Sequence, residues 1–425
     1  MQTAVHSCPM DGEGARRGTV LLAQGQRYGT RPGAIARLIA PGFRKLIDRI
    51  DAGLATGAIH ARLPDGTSHH LGGRAPGFQA DVHITDWRAL LRLATSGSVG
   101  WYQGWENGEW TSTDPVALFA LVSANALTLG ETGRAKGLWR WTARALHALN
   151  RNTRTRAEKN INAHYDLGND FYRTWLDPTM SYSSGYRFAG DGLQAAQRRK
   201  LERLAGRLGE PASLLEIGCG WGALAGHFAG RGSKVTAISL SDEQLAWGRA
   251  RHPAVEFRKQ DYRDVRGTFE GIVSVEMVEA LGREYWPAYM DCIARNLVPG
   301  GRAAIQFIAM NERVFESYAR NADFIQAYVF PGGLLIKTSE FRALAEARGL
   351  VWADEEAFGL DYAETLKAWR LRFEEAVAHH RLPSGFDRRF CALWRYYLMY
   401  CEGGFRGGGL SVRQATLVKA DRQPP

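Results

Sequence analysis

The sequence has few cysteines, and none has the spacing of a metal site or a redox motif. Five occur in 425 residues, at Cys8, Cys219, Cys292, Cys391 and Cys401. There is no CxxC pair and no Cys/His cluster, which argues against the common zinc sites. We therefore expect no bound metal and unpaired thiols in a reducing compartment, the cytoplasm.

Long apolar segments are also missing. No apolar run approaches the roughly 18 residues that a membrane-spanning helix needs. The first residues, MQTAVHSCPMDGEGARRG, do not have the charged-then-apolar order of a signal peptide. Any contact with a membrane is therefore expected to be peripheral, on its inner face.

Acidic residues are outnumbered by basic ones, 44 against 54, which gives a net charge of +10. Such an excess points to a polyanionic partner, either nucleic acid or an anionic membrane surface. A solvated basic face explains the charge equally well.

The basic residues are concentrated in residues 134–159, RAKGLWRWTARALHALNRNTRTRAEK, where eight Arg or Lys accompany a single acid. Tryptophans and leucines are interleaved with them, which favours a helix at a membrane interface. A linker helix packed on the following domain is the alternative. No nucleic-acid-binding motif accompanies the charge, so we expect no nucleic acid partner.

The length of the chain indicates more than one domain, because 425 residues exceed a typical single core. Composition and pattern predict a loose tail over 1–33, a small α+β domain over 34–133 and a basic linker helix over 134–160. Residues 161–425 then form an α/β domain. In its part beyond residue 193, strands alternate with helices, which predicts a doubly wound parallel sheet with helical insertions.

A glycine-rich loop follows the first predicted strand of this sheet. The segment EIGCGWG (216–222) comes after a buried strand and opens a helix, the context of a nucleotide-binding loop. NAD-binding loops have the spacing GxGxxG and an acid after the second strand. Here the spacing is GxGxG, the second strand ends in Ile238-Ser239-Leu240, and the acid is Glu216 in the first strand.

These features resemble motif I of class I S-adenosylmethionine (SAM) methyltransferases. The QDY segment (260–262) and the PGG before strand five resemble later motifs of the same class. The resemblance implies SAM as cofactor and a set of cofactor-binding residues: Tyr182, Ser183, Glu216, Gly218, Gly220, Ser239, Gln244, Asp261, Tyr262 and Val275.

Longer segments narrow the resemblance. The chain is similar to cyclopropane-fatty-acyl-phospholipid synthases and mycolic acid cyclopropane synthases over roughly residues 80–420. The matching segments are SVGWYQGWENGEW (98–110), NINAHYDLGNDFYRTWLDPTMSYSSGY (160–186), YVFPGG (328–333), FGLDYAETLKAW (358–369) and YYLMYCEGGFRGG (396–408).

This family resemblance implies a reaction. SAM supplies a methyl group to the double bond of an unsaturated acyl chain on a membrane phospholipid. A carbocation forms, and loss of a proton from the added methyl group closes a cyclopropane. In the family, a bound bicarbonate held by Cys, Glu, His and Tyr takes the proton. A homodimer through the N-terminal domain is a further implication.

This sequence departs from the family at two of those four positions. Ser184 stands at the cysteine position and Gln306 at the histidine position, whereas Glu279 and Tyr397 match the glutamate and the tyrosine. Ala280 also replaces the histidine that follows the glutamate in the family pattern.

Two acids occur where the family pattern has none, Glu276 and Glu402. We predict that the carboxylate of Glu402, ahead of that of Glu276, replaces bicarbonate as base or cation stabiliser. The alternative for Glu402 is an ion pair with Arg406. The catalytic residues predicted from the sequence are therefore Glu279, Tyr397, Ser184, Gln306 and Glu402.

Cyclopropane formation is the leading prediction. The same substrate with a methyl-branched or methyl-alkene product is the nearest alternative, because the bicarbonate ligands have changed. A small-molecule C- or N-methyltransferase and a SAM- or lipid-binding module without catalysis are the remaining alternatives.

Overall fold

A computed structural model describes residues 17–29, 40–130, 167–321 and 323–421. The basic segment at 134–159 and most of the predicted tail lie outside these residues. The chain forms two compact units. One comprises Met1–Asn150, Asn311–Pro331 and Phe373–Leu410, and the other comprises Arg151–Met310, Gly332–Arg372 and Ser411–Pro425. The predicted boundary near residue 160 stays a prediction. The domain ranges predicted from the sequence are contiguous, whereas each unit is assembled from separate stretches of the chain.

The described residues form the following elements. The helices are α1 (Thr19–Gln26), α2 (Ala40–Gly53), α3 (Arg88–Glu106), α4 (Pro115–Ala124), α5 (Ala126–Leu129), α6 (Asn169–Arg173), α7 (Leu193–Leu208), α8 (Ala223–Ala229), α9 (Asp242–Arg251), α10 (Trp286–Asn296), α11 (Phe315–Ala319), α12 (Phe324–Tyr328), α13 (Thr338–Glu346), α14 (Gly359–Ala378) and α15 (Arg388–Arg406). The strands are β1 (Ala58–Arg62), β2 (Ser68–Gly72), β3 (Gln79–Ile84), β4 (Trp110–Thr111), β5 (Ser213–Ile217), β6 (Lys234–Ser239), β7 (Glu256–Lys259), β8 (Phe269–Val275), β9 (Leu297–Met310), β10 (Leu350–Ala357) and β11 (Leu410–Lys419).

The first unit contains a four-stranded sheet in the order β2-β1-β3-β4. Strands β1 and β2 are antiparallel and are joined by a turn at Asp65–Gly66. Gly66 has φ +84°, a left-handed conformation that favours glycine. Asp65 accepts hydrogen bonds from the backbone N–H and the hydroxyl of Thr67. These contacts close a β-hairpin.

Helices α4 and α15 of this unit pack closely because glycines face the contact. A Cβ at Gly403 would lie 2.4 Å from Cβ of Phe119, and one at Gly407 would lie 2.2 Å from the carbonyl oxygen of Ala120. No side chain fits at these distances, so glycine sets how near the two helices approach.

The second unit is built on a seven-stranded sheet in the order β10-β11-β9-β8-β5-β6-β7. Strands β5 to β9 are parallel, and they match the five strands predicted from the sequence. The predicted doubly wound α/β sheet is confirmed. The antiparallel pair β10–β11 was not predicted, since its alternating, partly charged residues give a weaker signal than buried parallel strands.

Two sequence-level expectations can be compared with the described residues. Within them, no helix is long and apolar enough to cross a membrane. Cys219, Cys292 and Cys401 are free thiols, but Cys391 is disulfide-bonded. The expectation of unpaired cysteines is therefore wrong at Cys391, because spacing along the chain does not show which residues meet in space.

Candidate active site

The glycine loop between β5 and α8 lies at the carboxyl end of the parallel sheet. Gly218, Gly220 and Gly222 have φ values of +79°, +51° and +88°, which glycine adopts without strain. The N–H groups of Gly218 and Cys219 both donate to the carbonyl of Ile238 at 3.0 Å. A Cβ at Gly220 would have no atom within 4 Å, so there is open space beside the loop.

Ser239 and Gln244 lie at the end of β6 and in the first turn of α9. The Ser239 hydroxyl donates to Oε1 of Gln244 at 3.0 Å. Gln244 is buried, and its Nε2 has no hydrogen-bond partner among the described residues. An unused buried donor is costly, so this amide suits a ligand acceptor.

Asp261 and Tyr262 follow β7, and Val275 ends β8, so these residues share the same edge of the sheet. The Asp261 carboxylate is engaged by the side chain of Arg263 at 2.6 Å. The Tyr262 hydroxyl is buried and has no partner within the described part of the chain.

Glu216 is buried in β5, just before the glycine loop, with 3 % of its surface exposed. Burial raises its pKa to about 8, although a hydrogen bond from the Ala225 N–H and the charge of Lys200 act in the opposite direction. Its Oε2 has no hydrogen-bond partner among the described residues. A buried carboxyl oxygen is thus available beside the loop.

Tyr182 and Ser183 belong to a loop (179–186) that α7 holds in place. The Tyr182 ring packs against Tyr172, Trp175 and Trp369, with centroids 5.4–5.6 Å apart. The Ser183 hydroxyl accepts a hydrogen bond from Lys200 at 2.6 Å. Tyr182 therefore sits in an aromatic cluster and Ser183 sits against a buried cation.

The next residue of the loop, Ser184, contacts the carboxylate of Glu276. The Ser184 N–H and Nε2 of Gln306 donate to Oε1 of Glu276 at 2.9 and 2.7 Å. The Tyr362 hydroxyl donates to Oε2 at 2.8 Å. Nε2 of Gln414 donates to Oε1 of Gln306 at 2.9 Å, and this bond orients the Gln306 amide with its donor towards Glu276. We call Glu276 and its three donors the carboxylate cluster.

The backbone of Glu276 has φ +48°, a left-handed conformation that is uncommon outside glycine and disfavoured by roughly 1–2 kcal/mol. Its own N–H donates to the carbonyl of Gln306 at 2.8 Å. Burial raises the pKa of the Glu276 carboxyl, while the three hydrogen bonds and Lys200 favour its charged form. A non-glycine residue held in this geometry is typical of a functional position.

Glu279 lies one turn further along, in a short 3-10 helix with Ala280. One oxygen of its carboxylate accepts from the N–H of Ile308. The other has no partner in the described residues. Burial, with the nearby charge of Glu276, raises the pKa of Glu279 to about 8.

The other two predicted catalytic residues, Tyr397 and Glu402, lie on α15 in the first unit. Tyr397 packs on Trp394, with ring centroids 5.2 Å apart. Glu402 is buried and accepts from Nε of Arg406 at 2.9 Å. This ion pair is the alternative considered for Glu402, and its role as a base stays a prediction.

Sequence reasoning assigned no role to Tyr362, Lys200 or Gln197. Tyr362 lies in FGLDYAETLKAW (358–369), one of the segments that carry the family resemblance, so that motif could have identified it. Gln197 and Lys200 fall on the buried face of α7 between Leu193 and Leu204. Two polar residues on an apolar helix face are the signal that could have identified them.

The residues at the sheet edge fit SAM. Open space lies beside the glycine loop, and the unused polar atoms of Glu216, Gln244 and Tyr262 suit the polar groups of an adenosine and an amino acid. The fold and this site define a class I SAM-dependent methyltransferase.

Comparison with known proteins gives the family. Residues 152–415 match the family model of mycolic acid cyclopropane synthetase. The tuberculostearic acid methyltransferase UfaA1 of Mycobacterium tuberculosis is 34% identical over 86% of this chain and 86% of its own length. The cyclopropane-fatty-acyl-phospholipid synthase of Escherichia coli is 32% identical over 82% of this chain and 90% of its own.

A solved structure agrees. Mycolic acid cyclopropane synthase CmaA1, in complex with SAH and CTAB, superposes with a TM-score of 0.57 at 28% identity, covering 62% of this chain and 98% of that one. The chain belongs to the mycolic acid cyclopropane synthetase family and is a SAM-dependent methyltransferase of its cyclopropane and fatty-acid methyltransferase group. SAM is its cofactor.

Proposed function

We propose that the enzyme methylates the double bond of unsaturated acyl chains in membrane phospholipids, with Glu276 as the proton acceptor. The observation that carries this proposal is the carboxylate cluster, in which Ser184, Gln306 and Tyr362 all donate to Glu276. The similarity to the E. coli phospholipid synthase supports the substrate class.

Methyl transfer itself requires no general base from the protein. The alkene is the nucleophile, so no group on the enzyme has to deprotonate it. Bound SAM supplies an electrophilic methyl group. Tyr182, Ser183, Glu216, Gly218, Gly220, Ser239, Gln244, Asp261, Tyr262 and Val275 are proposed to hold the cofactor.

Once the methyl group is on the acyl chain, the chain carries a positive charge and must lose a proton. A carboxylate suits both needs, because it opposes the charge and accepts the proton. Two donors fix Oε1 of Glu276 and one reaches Oε2. Oε2 therefore keeps a lone pair for the proton.

Glu276 is a better candidate than Glu402, reversing the order predicted from the sequence. Ser184 and Gln306 stand where the family resemblance places ligands of bicarbonate, and both donate to the Glu276 carboxylate. The carboxylate of Glu276 then replaces the bound bicarbonate. The carboxylate of Glu402 is already paired with Arg406.

Aromatic side chains around the loop at 179–186 exclude water. Tyr172, Trp175, Tyr182 and Trp369 pack edge to face or tilted against one another. Water would trap a carbocation as an alcohol, so a dry aromatic wall protects the intermediate. Aromatic faces also attract a positive charge.

The second candidate product is a methyl-branched chain that keeps a double bond, a methyl-alkene. Loss of a proton from the added methyl carbon closes a cyclopropane, whereas loss from a neighbouring chain carbon, with or without a hydride shift, leaves an alkene. A base tethered through a side chain cannot relocate as a small anion can, so its fixed position selects the proton. The relative UfaA1 is named as a tuberculostearic acid methyltransferase and not as a cyclopropane synthase, and this similarity favours the second candidate.

Incubation with methyl-labelled SAM and vesicles of an unsaturated phospholipid, followed by NMR of the lipid, tests the proposal. Ring protons at high field support cyclopropane formation, and vinyl protons beside a labelled carbon support the second candidate. Absence of label from the lipid contradicts both, and consumption of SAM with a small amine instead would indicate a small-molecule methyltransferase.

A further inference from the structure

A line of buried polar side chains leads from the carboxylate cluster to the end of α7. Gln306 lies on β9 and Gln414 on β11, which are neighbouring strands of the seven-stranded sheet. Neither glutamine is exposed, and Arg207, in the last turn of α7, exposes 4 % of its surface. All three residues belong to the second unit. We call Arg207, Gln414 and Gln306 the relay.

The hydrogen bonds of the relay all run in one direction. Nε of Arg207 donates to Oε1 of Gln414 at 3.1 Å, and Nε2 of Gln414 donates to Oε1 of Gln306 at 2.9 Å. Nε2 of Gln306 then donates to Oε1 of Glu276 at 2.7 Å. Each amide therefore accepts on the side of Arg207 and donates on the side of Glu276.

Arg207 determines that direction. The two glutamines alone would satisfy each other equally well if both amides were turned around, because each amide carries a donor and an acceptor. A guanidinium group has donors only, so the amide oxygen of Gln414 must face it. The turned arrangement would instead place the carbonyl oxygen of Gln306 against Glu276, where it suits a protonated carboxyl group and not a carboxylate.

The other end of Arg207 is held by two further acceptors. Nη1 donates to the hydroxyl oxygen of Thr416 at 2.9 Å and to the carboxylate of Asp354 at 2.5 Å. Burial lowers the pKa of Arg207, but an arginine in a protein keeps its proton. The relay therefore begins at a donor that does not change with pH.

We propose that Arg207 is a positioning residue for the carboxylate of Glu276. Acting through the two amides, it keeps a donor and not an acceptor against Oε1. This arrangement holds Glu276 in its charged form, which can accept a proton. The inference rests on the proposed function of Glu276 as proton acceptor, and it extends the proton-accepting machinery from the active site to the end of α7.

Other titratable groups act on Glu276 from different elements: Lys200 on α7, Glu279 in the 3-10 helix and Tyr362 on α14. Burial raises the pKa of Glu276, whereas its hydrogen bonds and the charge of Lys200 lower it. Turning the Gln306 amide removes one of these hydrogen bonds and puts a carbonyl dipole against the carboxylate. The pKa of Glu276 then rises further, so deprotonation needs a higher pH.

Two variants test the relay. Gln414→Glu keeps the size of the side chain and accepts from Arg207, but its carboxylate cannot donate, so Gln306 must turn its NH2 group towards it. Arg207→Met removes the fixed donor. Infrared difference spectra against the same protein with Glu276→Gln isolate the titration of the Glu276 carboxyl, without any substrate. We expect its midpoint to rise by about one to two pH units in Gln414→Glu, as for a lost hydrogen bond to a charged group, and to rise less in Arg207→Met.

Two further variants are controls. Arg207→Lys keeps a charged donor and should return the midpoint close to that of the wild type. Arg203 lies one turn earlier on α7 and pairs with Glu356 of β10 at 2.9 Å, but it makes no hydrogen bond to the relay in the described part of the chain. Arg203→Met should leave the midpoint unchanged.

An unchanged midpoint in Gln414→Glu would overturn the proposal, and this variant decides the test if Arg207→Met does not fold. An equal rise in Arg203→Met would also overturn it, because any lost arginine would then have the same effect. The rate of methyl transfer as a function of pH separates this inference from the proposed function. If the midpoint rises while the pH dependence of the rate does not move, the relay stands and Glu276 is not the proton acceptor.

Discussion

At the scale of single residues, Glu276 is the position on which the proposed chemistry depends. Replacing it by Gln keeps the size of the side chain and one acceptor oxygen but removes the base. We expect Glu276→Gln to lower turnover by about 100-fold to 10,000-fold, the usual contribution of a general base. SAM affinity, measured by calorimetry, should remain close to that of the wild type.

The matched control is Glu402→Gln, which removes the charge of the other candidate acid and its ion pair with Arg406. We expect turnover of the folded Glu402→Gln enzyme to stay far above that of Glu276→Gln. The reverse order would return the role of base to Glu402.

Glu279 gives a prediction about stability and pH. Its pKa is raised from 4.5 to about 8 by burial, so the folded protein binds this proton more tightly than the unfolded chain does. Folding is then favoured at pH below 4.5, and this contribution is lost as the pH rises to about 8. Glu279→Gln removes the titration, so its melting temperature relative to wild type should rise between pH 5 and pH 8. A difference that is constant with pH would contradict the assignment.

The sequence predicted the site unevenly at this scale. Ser184 and Gln306 could be placed by motif, and the structure brings both to Glu276. Glu276 ranked second to Glu402 as the predicted base, because amino-acid composition does not reveal the left-handed backbone at Glu276. A family motif contains Tyr362, but its hydrogen bond to Glu276 could not be predicted, since that contact joins residues 86 positions apart.

At the scale of elements, the contact of α4 with α15 depends on glycine. A Cβ at Gly403 would lie 2.4 Å from Cβ of Phe119, so Gly403→Ala must push the helices apart. We expect a loss of about 1–3 kcal/mol in the free energy of unfolding, as for other overpacked cores, measured by chemical denaturation.

Gly206→Ala in α7 is the control for that change. A Cβ there would have no atom within 4 Å, so alanine should stabilise the helix by about 0.5–1 kcal/mol. If the Gly403→Ala protein had the same free energy of unfolding as the Gly206→Ala protein, the close approach of α4 and α15 would be contradicted.

The parallel strands were the most predictable elements. Strands β5 to β9 have apolar runs flanked by glycine or polar turns. The motifs next to these runs identify which strand of the sheet each run forms. Strands β10 and β11 pair through residues about 60 positions apart, such as Trp352 with Leu417. Local pattern contains no information about such pairing, and the alternating residues of β10 give a weak strand signal.

At the scale of the whole molecule, the net charge of +10 predicts attraction to anionic membranes. Binding to vesicles that contain anionic phospholipid should weaken steadily as salt is raised, because mobile ions screen surface charge. Vesicles of zwitterionic lipid alone are the control and should bind less at low salt. Sedimentation of the vesicles measures the bound fraction, and salt-independent binding would contradict an electrostatic membrane contact.

In the proposed chemistry, the carboxylate of Glu276 replaces a bound bicarbonate as the proton acceptor. The most direct measurement is the rate of methyl transfer from SAM to unsaturated phospholipid vesicles in carbon-dioxide-free buffer, with and without added bicarbonate. We expect the same rate in both buffers for the wild type, and a rate that needs bicarbonate for Glu276→Gly, because the left-handed backbone at this position suits glycine. A wild type that is inactive until bicarbonate is added would contradict the claim.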